Sequence, residues 1–434
     1  MSIPTLQGLQ TALSGLIAQQ DAIDVTGSNI TNANTEGYSR ETAVLQTKEP
    51  LRIAALSSVT GEGGQLGTGV TVATITRIRN TYLDASYREH NTAAGAAGAQ
   101  AEELSQAQSA FNEPSSTGLA SQLSKFWSSW SELAESPNET AAKVGVVGAA
   151  KQLTGSLHQL AAQLQSLEGQ ASAQYAAIAG PSGEVASDAT QIAELNHQIK
   201  LSLAAHQQPN EMEDHRDLLL DKLSALASVT VTTEPDGTDT VTFGNAALPL
   251  VEGTTANWPQ ALTTAAGGKL GALLELSSPT GPLASYGAAL GEVAKTLADS
   301  VNELHTATPF FTGTTAATIE VAVAPGEVQT SSEGAPGGND VALAIAGLRG
   351  GVAEQHYSAL IAQIGTGVQS ANTNLANSEA VLTAVANQRQ AVSGVSLDEE
   401  MTNLITFQRG YQASAQALNV MNEMLNTLIN ESGL

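Results

Sequence analysis

The chain contains no cysteine, few aromatic residues and little positive charge. Its 434 residues include 17 Lys and Arg against 42 Asp and Glu, a formal net charge of −25, and Phe, Trp and Tyr make up 4%. Without cysteine there is no disulfide framework, thiolate metal site or cysteine nucleophile. Sparse Lys and Arg exclude a broad nucleic-acid interface, because phosphate contacts need clustered cations. No apolar run reaches the ~18 residues that a membrane span requires, so no membrane insertion is expected. The first basic residue is Arg40, so no basic segment precedes an apolar core, and no Sec-type signal is expected.

Hydrophobic residues make up 42% of the chain, which is enough for packed cores, but much of this is alanine. Alanine-rich helices bury little area each, so their stability must come from length, many helix contacts or neighbouring subunits. The composition fits a mainly α, elongated protein better than a compact enzyme around one deep pocket. At roughly 150 residues per domain, the length corresponds to about three domains.

The two ends carry the sharpest patterns. Leu6, Leu9, Leu13, Leu16, Gln20 and Ile23 step by three and four, a heptad seam with one polar position. Leu404, Phe407, Tyr411, Ser414, Leu418, Met421, Leu425 and Leu428 do the same near the other end. Each seam is too short to be stable alone in water, so the two are expected to pair with each other or with neighbours. Segments 1–35 and 396–434 are therefore expected to form a coiled-coil core. Ala12, Gln19, Ala22 and Thr26 are small or polar and permit close approach along the first helix.

Between the ends, the Asn-, Thr- and Gly-rich run Asn29–Tyr38 predicts an ordered loop. Alternation through Arg40–Leu56 and Val70–Arg79, around the Gly-rich stretch Gly61–Gly69, predicts a β-hairpin arm; loop and arm together span 36–80. Residues 81–228 and 281–395 read as a helical middle domain. Val229–Thr233 and Thr240–Phe243 flank the turn Pro235-Asp236-Gly237 in a small inserted β-domain, 229–280. The strands are excursions within a helical framework, so the two ends are expected to lie together.

Few residues invite a chemical reading. His197, His206 and His215 are evenly spaced, but at about 100° per residue successive ones fall on opposite helix faces, and surface or capping histidines are the better reading. Glu211, Glu213, Asp214, Asp217 and Asp221 with Arg216 are read as a solvated acidic face with local ion pairs; Asp214, Asp217 and Asp221 share one helix face, suited to helix docking. Neither Gly61–Gly69 nor Gly267-Gly268-Lys269 continues into a phosphate loop. Phe126, Trp127 and Trp130 are spaced as core. No nucleophile–base set is found, and no cofactor is expected.

Three stretches resemble one family. They are Ala12-Leu13-Ser14-Gly15-Leu16 with Asn29-Ile30-Thr31-Asn32-Ala33-Asn34-Thr35-Glu36-Gly37-Tyr38-Ser39-Arg40; Asn196 with Arg216-Asp217-Leu218-Leu219-Leu220-Asp221; and Ser393-Gly394-Val395-Ser396-Leu397-Asp398-Glu399-Glu400 with Phe407-Gln408-Arg409 and Tyr411-Gln412-Ala413-Ser414-Ala415. The sequence resembles the flagellar hook-associated protein 1 family, the hook–filament junction proteins of bacteria. The resemblance implies a structural subunit, not an enzyme, exported without a cleaved signal to the extracellular flagellum. It implies a ring-like homo-oligomer, with the hook protein, a second junction protein and the filament as partners, and an export chaperone on the C-terminal region. Leu6, Leu9, Leu13, Leu16, Ile23, Asn29, Asn32, Asn34, Gly37, Tyr38, Leu404, Phe407, Tyr411, Leu418, Met421, Leu425 and Leu428 are the expected assembly interface. The outer β-portion is short for the family. Another axial protein, hook or distal rod, is the nearest alternative, and a secreted enzyme using the histidines or acids the alternative of another class.

Overall fold

The computed structural model describes residues 3–53 and 64–431. The expected strand end at Leu56, the start of the Gly-rich stretch at Gly61 and the side chain of Leu428 lie outside the described residues. Helices α1 (Ile3–Thr31) and α11 (Leu397–Glu431) form the two ends, and they lie side by side. After α1 the chain makes a hairpin. Strand β1 (Glu41–Thr47) pairs antiparallel with β4 (Val70–Arg77), and β2 (Leu51–Ile53) with β3 (Gly64–Leu66).

Asn80 then starts α2 (Thr81–Phe111), its side chain accepting the amides of Tyr82 and Leu83 at 3.0 and 3.3 Å. This satisfies two of the amides that a helix start leaves unpaired. Helices α3 (Leu119–Glu135), α4 (Thr140–Ala179), α5 (Glu184–Ala204) and α6 (Asn210–Leu226) follow. A four-stranded antiparallel sheet comes next, in the order β5 (Val229–Thr233), β6 (Asp239–Phe243), β7 (Val251–Glu252), β8 (Thr255–Ala256). Helices α7 (Gly268–Leu276) and α8 (Pro282–Leu304), the short strands β9 (Phe311–Thr312) and β10 (Glu320–Val321), and α9 (Asp340–Ala346) precede α10 (Val352–Ser393). The fold is mainly α and elongated: the 42 residues of α10 span about 63 Å at 1.5 Å per residue.

Two cores hold these elements. In the larger, Phe126, Trp127 and Trp130 of α3 are fully buried against Phe310 and Phe311. The Phe126–Trp127 centroids lie 4.9 Å apart and the Trp130–Phe310 centroids 5.3 Å apart, tilted as ring quadrupoles prefer. The i, i+1, i+4 spacing marked these residues as core, and the structure places them there. The smaller core joins α5 and α6 to the sheet through Ile192, Ile199, Leu220, Leu223, Val241, Phe243 and Leu250. The strands of the expected β-domain thus share a core with helices that precede them in sequence.

Asp188 of α5 is 7% exposed, and its Oδ2 has no hydrogen-bond partner among the described residues. Burial, with Glu184 adding repulsion, pushes its carboxyl up to about 6. A raised carboxyl costs stability when it ionises, so the penalty is absent below about pH 4 and complete above about pH 6. Asp188→Asn is expected to stabilise the protein at pH 7 by on the order of 2 kcal/mol, and to do little at pH 4. Denaturant melts of both proteins at the two pH values check this; an equal effect at both would contradict it.

Candidate assembly site on the paired termini

The α1–α11 pair is antiparallel and in strict register. A Cβ added at Gly8 would meet Met421 at 3.0 Å, and one at Gly15 would meet Ser414 Oγ at 3.0 Å. Further along, Gln19 lies against Gly410, and Asn29 Nδ2 donates to Glu400 Oε2 at 3.1 Å. Gly8, Gly15 and Ala22 recur every seventh residue, so a row of small side chains sets the close approach, and Asn29, seven further on, ends the row with its hydrogen bond to Glu400. Ala12, Ala18 and Ala22 are buried.

The expected leucine seam of α1 is therefore not the face that meets α11. Leu6 and Leu13 are 55% and 43% exposed, and Leu9, Leu16 and Ile23 only half-buried. The physical reason is that α1 has two neighbours. Its small residues admit α11, and its other flank lies on the hairpin, where Ser14 Oγ accepts the Val70 amide at 3.3 Å. The leucines are left between and outside these contacts. On α11, Leu404, Phe407, Tyr411, Leu418, Met421 and Leu425 are half-buried while most residues between them are exposed, so that seam does face α1.

The Asn-rich loop turns inward. Asn29 Nδ2 donates to the Glu41 carbonyl at 2.9 Å, and its Oδ1 accepts the Glu41 amide and the Tyr38 hydroxyl, each at 2.9 Å. Glu400, 2% exposed, also pairs with Arg40 Nε at 2.8 Å, and the Arg40 amide donates to Ser393 O at 2.9 Å. Asn29, Tyr38, Arg40 and Glu400 thus form one joint between the end of α1, the start of β1 and the start of α11. Asn32 bonds back to Ser28 O at 3.2 Å, and Asn34 is exposed. Gly37 (φ 82°) lets the loop lie on Leu218 of α6, where a Cβ would meet the leucine at 3.1 Å.

The acidic run of α6 is not a solvated face. Asp214 and Asp221 are 7% and 8% exposed, and Asp217 contacts three guanidinium groups. Arg77 and Arg79, from the end of the hairpin arm, reach Asp217 Oδ2 at 2.9 and 3.1 Å; Arg88 of α2 reaches Oδ1 at 3.0 Å. Arg389 of α10 pairs with Asp221 at 2.6 Å and Asp84 at 3.1 Å, and lies over the Tyr87 ring at 4.7 Å. Ser39 binds Asp214 through its amide and hydroxyl at 2.8 and 2.7 Å. Arg216 does not join its neighbours on α6. It points to the sheet, to Asn196 Oδ1 and Gly237 O at 2.8 Å each and Asp239 at 2.9 Å. Periodicity placed Asp214, Asp217 and Asp221 on one docking face; their burial followed from arginines more than a hundred residues away, which no local pattern reports.

Burial alone would raise the Asp217 carboxyl, but Arg79, Arg77 and Arg88 outweigh it and hold Asp217 below the usual carboxylate range. Burial alone would lower the three arginines, and the same carboxylates raise them instead. The histidines do not converge: His197, His206 and His215 are exposed on α5, in the turn after it and on α6. Among the described residues no group of His, Asp and Glu has the arrangement of a metal site.

Comparison with known proteins agrees with this geometry. Residues 104–265 match the family described as the flagellar hook-associated protein FlgK helical domain. Residues 9–38 match the flagella basal body rod protein family, and residues 386–431 the C-terminal family of the flagellar basal body rod FlgEFG proteins. The flagellar hook-associated protein 1 of Bacillus subtilis is 29% identical, with 99% of each chain covered. That of Escherichia coli is 24% identical, over 97% of this chain and 99% of the relative. The solved hook junction protein FlgK of Burkholderia pseudomallei aligns with 51% of this chain and 43% of its own at 24% identity, with a TM-score of 0.45. The family and full-length sequence matches define a structural protein of the bacterial flagellar axis, with rod-type ends and a helical middle. Within that class the relatives matched along the full chain are flagellar hook-associated protein 1 sequences, and the helical middle matches the FlgK helical domain.

Removing one partner of a buried ionic cluster leaves the others uncompensated, at about 3–5 kcal/mol. Asp217→Asn is expected to destabilise the protein by about that much near neutral pH. A lowered carboxyl contributes stability above its unfolded pKa of about 3.9 and loses it as pH falls through the folded value, so the deficit should shrink below about pH 4. Urea melts between pH 3 and pH 7 check this; a deficit independent of pH would contradict the three-arginine contact.

Proposed function

We propose that this chain is the structural subunit at the junction between hook and filament, assembling in a ring through the outward faces of α1 and α11. The observation that carries this is apolar surface left over after the two helices pair. Leu6, Leu13 and Ile17 of α1 are 55%, 43% and 50% exposed, and Met401, Ile405, Val420 and Met424 of α11 are 49%, 49%, 54% and 48% exposed. Stripes of this kind on a long, thin helix pair are interaction surface. Ile17, Met401, Ile405, Val420 and Met424 were missed by the seam reading. The signal was there, as a second apolar row beside the heptad.

In this reading the hook protein lies on one side of the ring, and a second junction protein and the filament on the other. An export chaperone covers the C-terminal region before assembly, and the chain leaves the cell without a cleaved signal. A hook or rod role is supported by the two terminal family matches alone; the hook-associated match of residues 104–265 favours the junction.

Deletion of the gene should give hooks without filaments, with filament subunits lost to the medium; normal filaments would reject the junction role. Leu13→Asp should do the same while leaving the body folded, because Leu13 is 43% exposed within one copy. Thermal melts read folding, and electron microscopy reads filaments. Normal filaments in the Leu13→Asp strain would contradict assembly through the α1 face.

A further inference from the structure

Arg409 is the only Lys or Arg in residues 1–39 and 397–434. It is exposed on α11 and forms no ion pair among the described residues. Neither acid of α1 pairs with it, although Asp21 and Asp24 lie on the adjacent turns; Gln19, not an acid, meets the backbone beside it at Gly410. Asp24 is exposed and Asp21 half-buried. A lone cation on α11 and two acids on α1, one exposed and one half-buried, thus stand without ion-pair partners among the described residues, each within a turn or two of exposed apolar residues such as Ile405 and Ile17.

We propose that Arg409 pairs with Asp21 and Asp24 of a second copy of this chain, and that this pair sets the register between neighbouring copies. The inference rests on the assembly reading above. Copies related by rotation about one axis point the same way, so α11 of one copy would lie antiparallel to α1 of the next. The antiparallel register that levels Arg409 with Asp21, one turn from Asp24, also sets Leu13 opposite Ala417 and Ile17 opposite Ala413. Leu13 and Ile17 are exposed knobs, and Ala413 and Ala417 are exposed small residues that leave holes for them. Charge and shape select the same register, and a single charged contact within an apolar seam is a recognised way to fix one.

The test uses a strain lacking the chromosomal gene and supplied with full-length variants. Arg409→Glu should abolish swimming and release filament subunits to the medium, whereas Arg409→Lys should keep both near wild type. Combining Arg409→Glu with Asp21→Arg and Asp24→Arg should restore filaments, because every copy then carries the reversed pair. Normal assembly of Arg409→Glu alone would overturn the proposal. So would failure of the triple variant when its secreted protein melts like wild type, since Arg409 would then be meeting some other chain. Leu13→Asp separates the two levels. If it blocks assembly while Arg409→Glu does not, the pairing is wrong and the assembly surface stands; if neither blocks, the assembly reading itself fails.

Discussion

Asp217 lies within 3.1 Å of guanidinium groups from three residues, and the arrangement of the outer body around the termini depends on it. Arg77 and Arg79 bring the end of the hairpin arm, Arg88 brings α2, and Arg389, through Asp221 and Asp84, brings the end of α10 just before the chain turns into α11. An apolar cluster of the same volume could be as stable, since burying charge costs desolvation that pairing only repays. What the ionic cluster adds is direction: each fork has a particular carboxylate, so the elements meet in one arrangement. Six of the chain's 17 cations, Arg40, Arg77, Arg79, Arg88, Arg216 and Arg389, are held in such buried or half-buried pairs. The rest of the surface is left strongly negative, which keeps separate copies apart until specific faces meet.

The terminal pair follows a different logic. A helix pair with leucines on both inner faces would bury most of its apolar surface internally and leave little for a neighbour. Here small residues from both helices line the contact, with Gly8 against Met421, Gly15 against Ser414 and Gly410 against Gln19, so the pair closes tightly and Leu6 and Leu13 of α1 remain outside. The thin, alanine-rich character of the whole chain acts in the same direction. Helices of this kind gain stability from partners, and a structural subunit of the flagellar axis has partners along its length.

Much of the fold was legible in the sequence because it is carried by local periodicity. The helix pattern, the hairpin with its Pro235-Asp236-Gly237 turn and the aromatic core at Phe126, Trp127 and Trp130 all follow from spacing. So did the α11 seam. The α1 face did not, because a heptad of leucines and a heptad of small residues coexist on one helix, and which of them meets α11 is decided by the approach distance and by the hairpin on the other flank. The α6 carboxylates were read as solvated for a related reason: their partners lie on β4, α2 and α10, and pairing across 129 residues or more leaves no trace in a local window. Asn29 and Tyr38, marked as interface residues, direct their hydrogen bonds into a joint within the chain.

The chain has no cysteine of its own, so introduced thiols report their surroundings cleanly. Isolated flagella carrying Leu13→Cys with Ala417→Cys, and others carrying Ala22→Cys with Ala417→Cys, can be treated with a short bifunctional maleimide and resolved by denaturing electrophoresis. If the outward face of α1 meets α11 of the next copy, the Leu13→Cys/Ala417→Cys protein appears as cross-linked dimers and larger multimers, while the Ala22→Cys/Ala417→Cys protein, whose first thiol is buried within the chain, stays single. Multimers from the Ala22→Cys pair and none from the Leu13→Cys pair would show that the small-residue face joins copies, and would contradict assembly through the leucines.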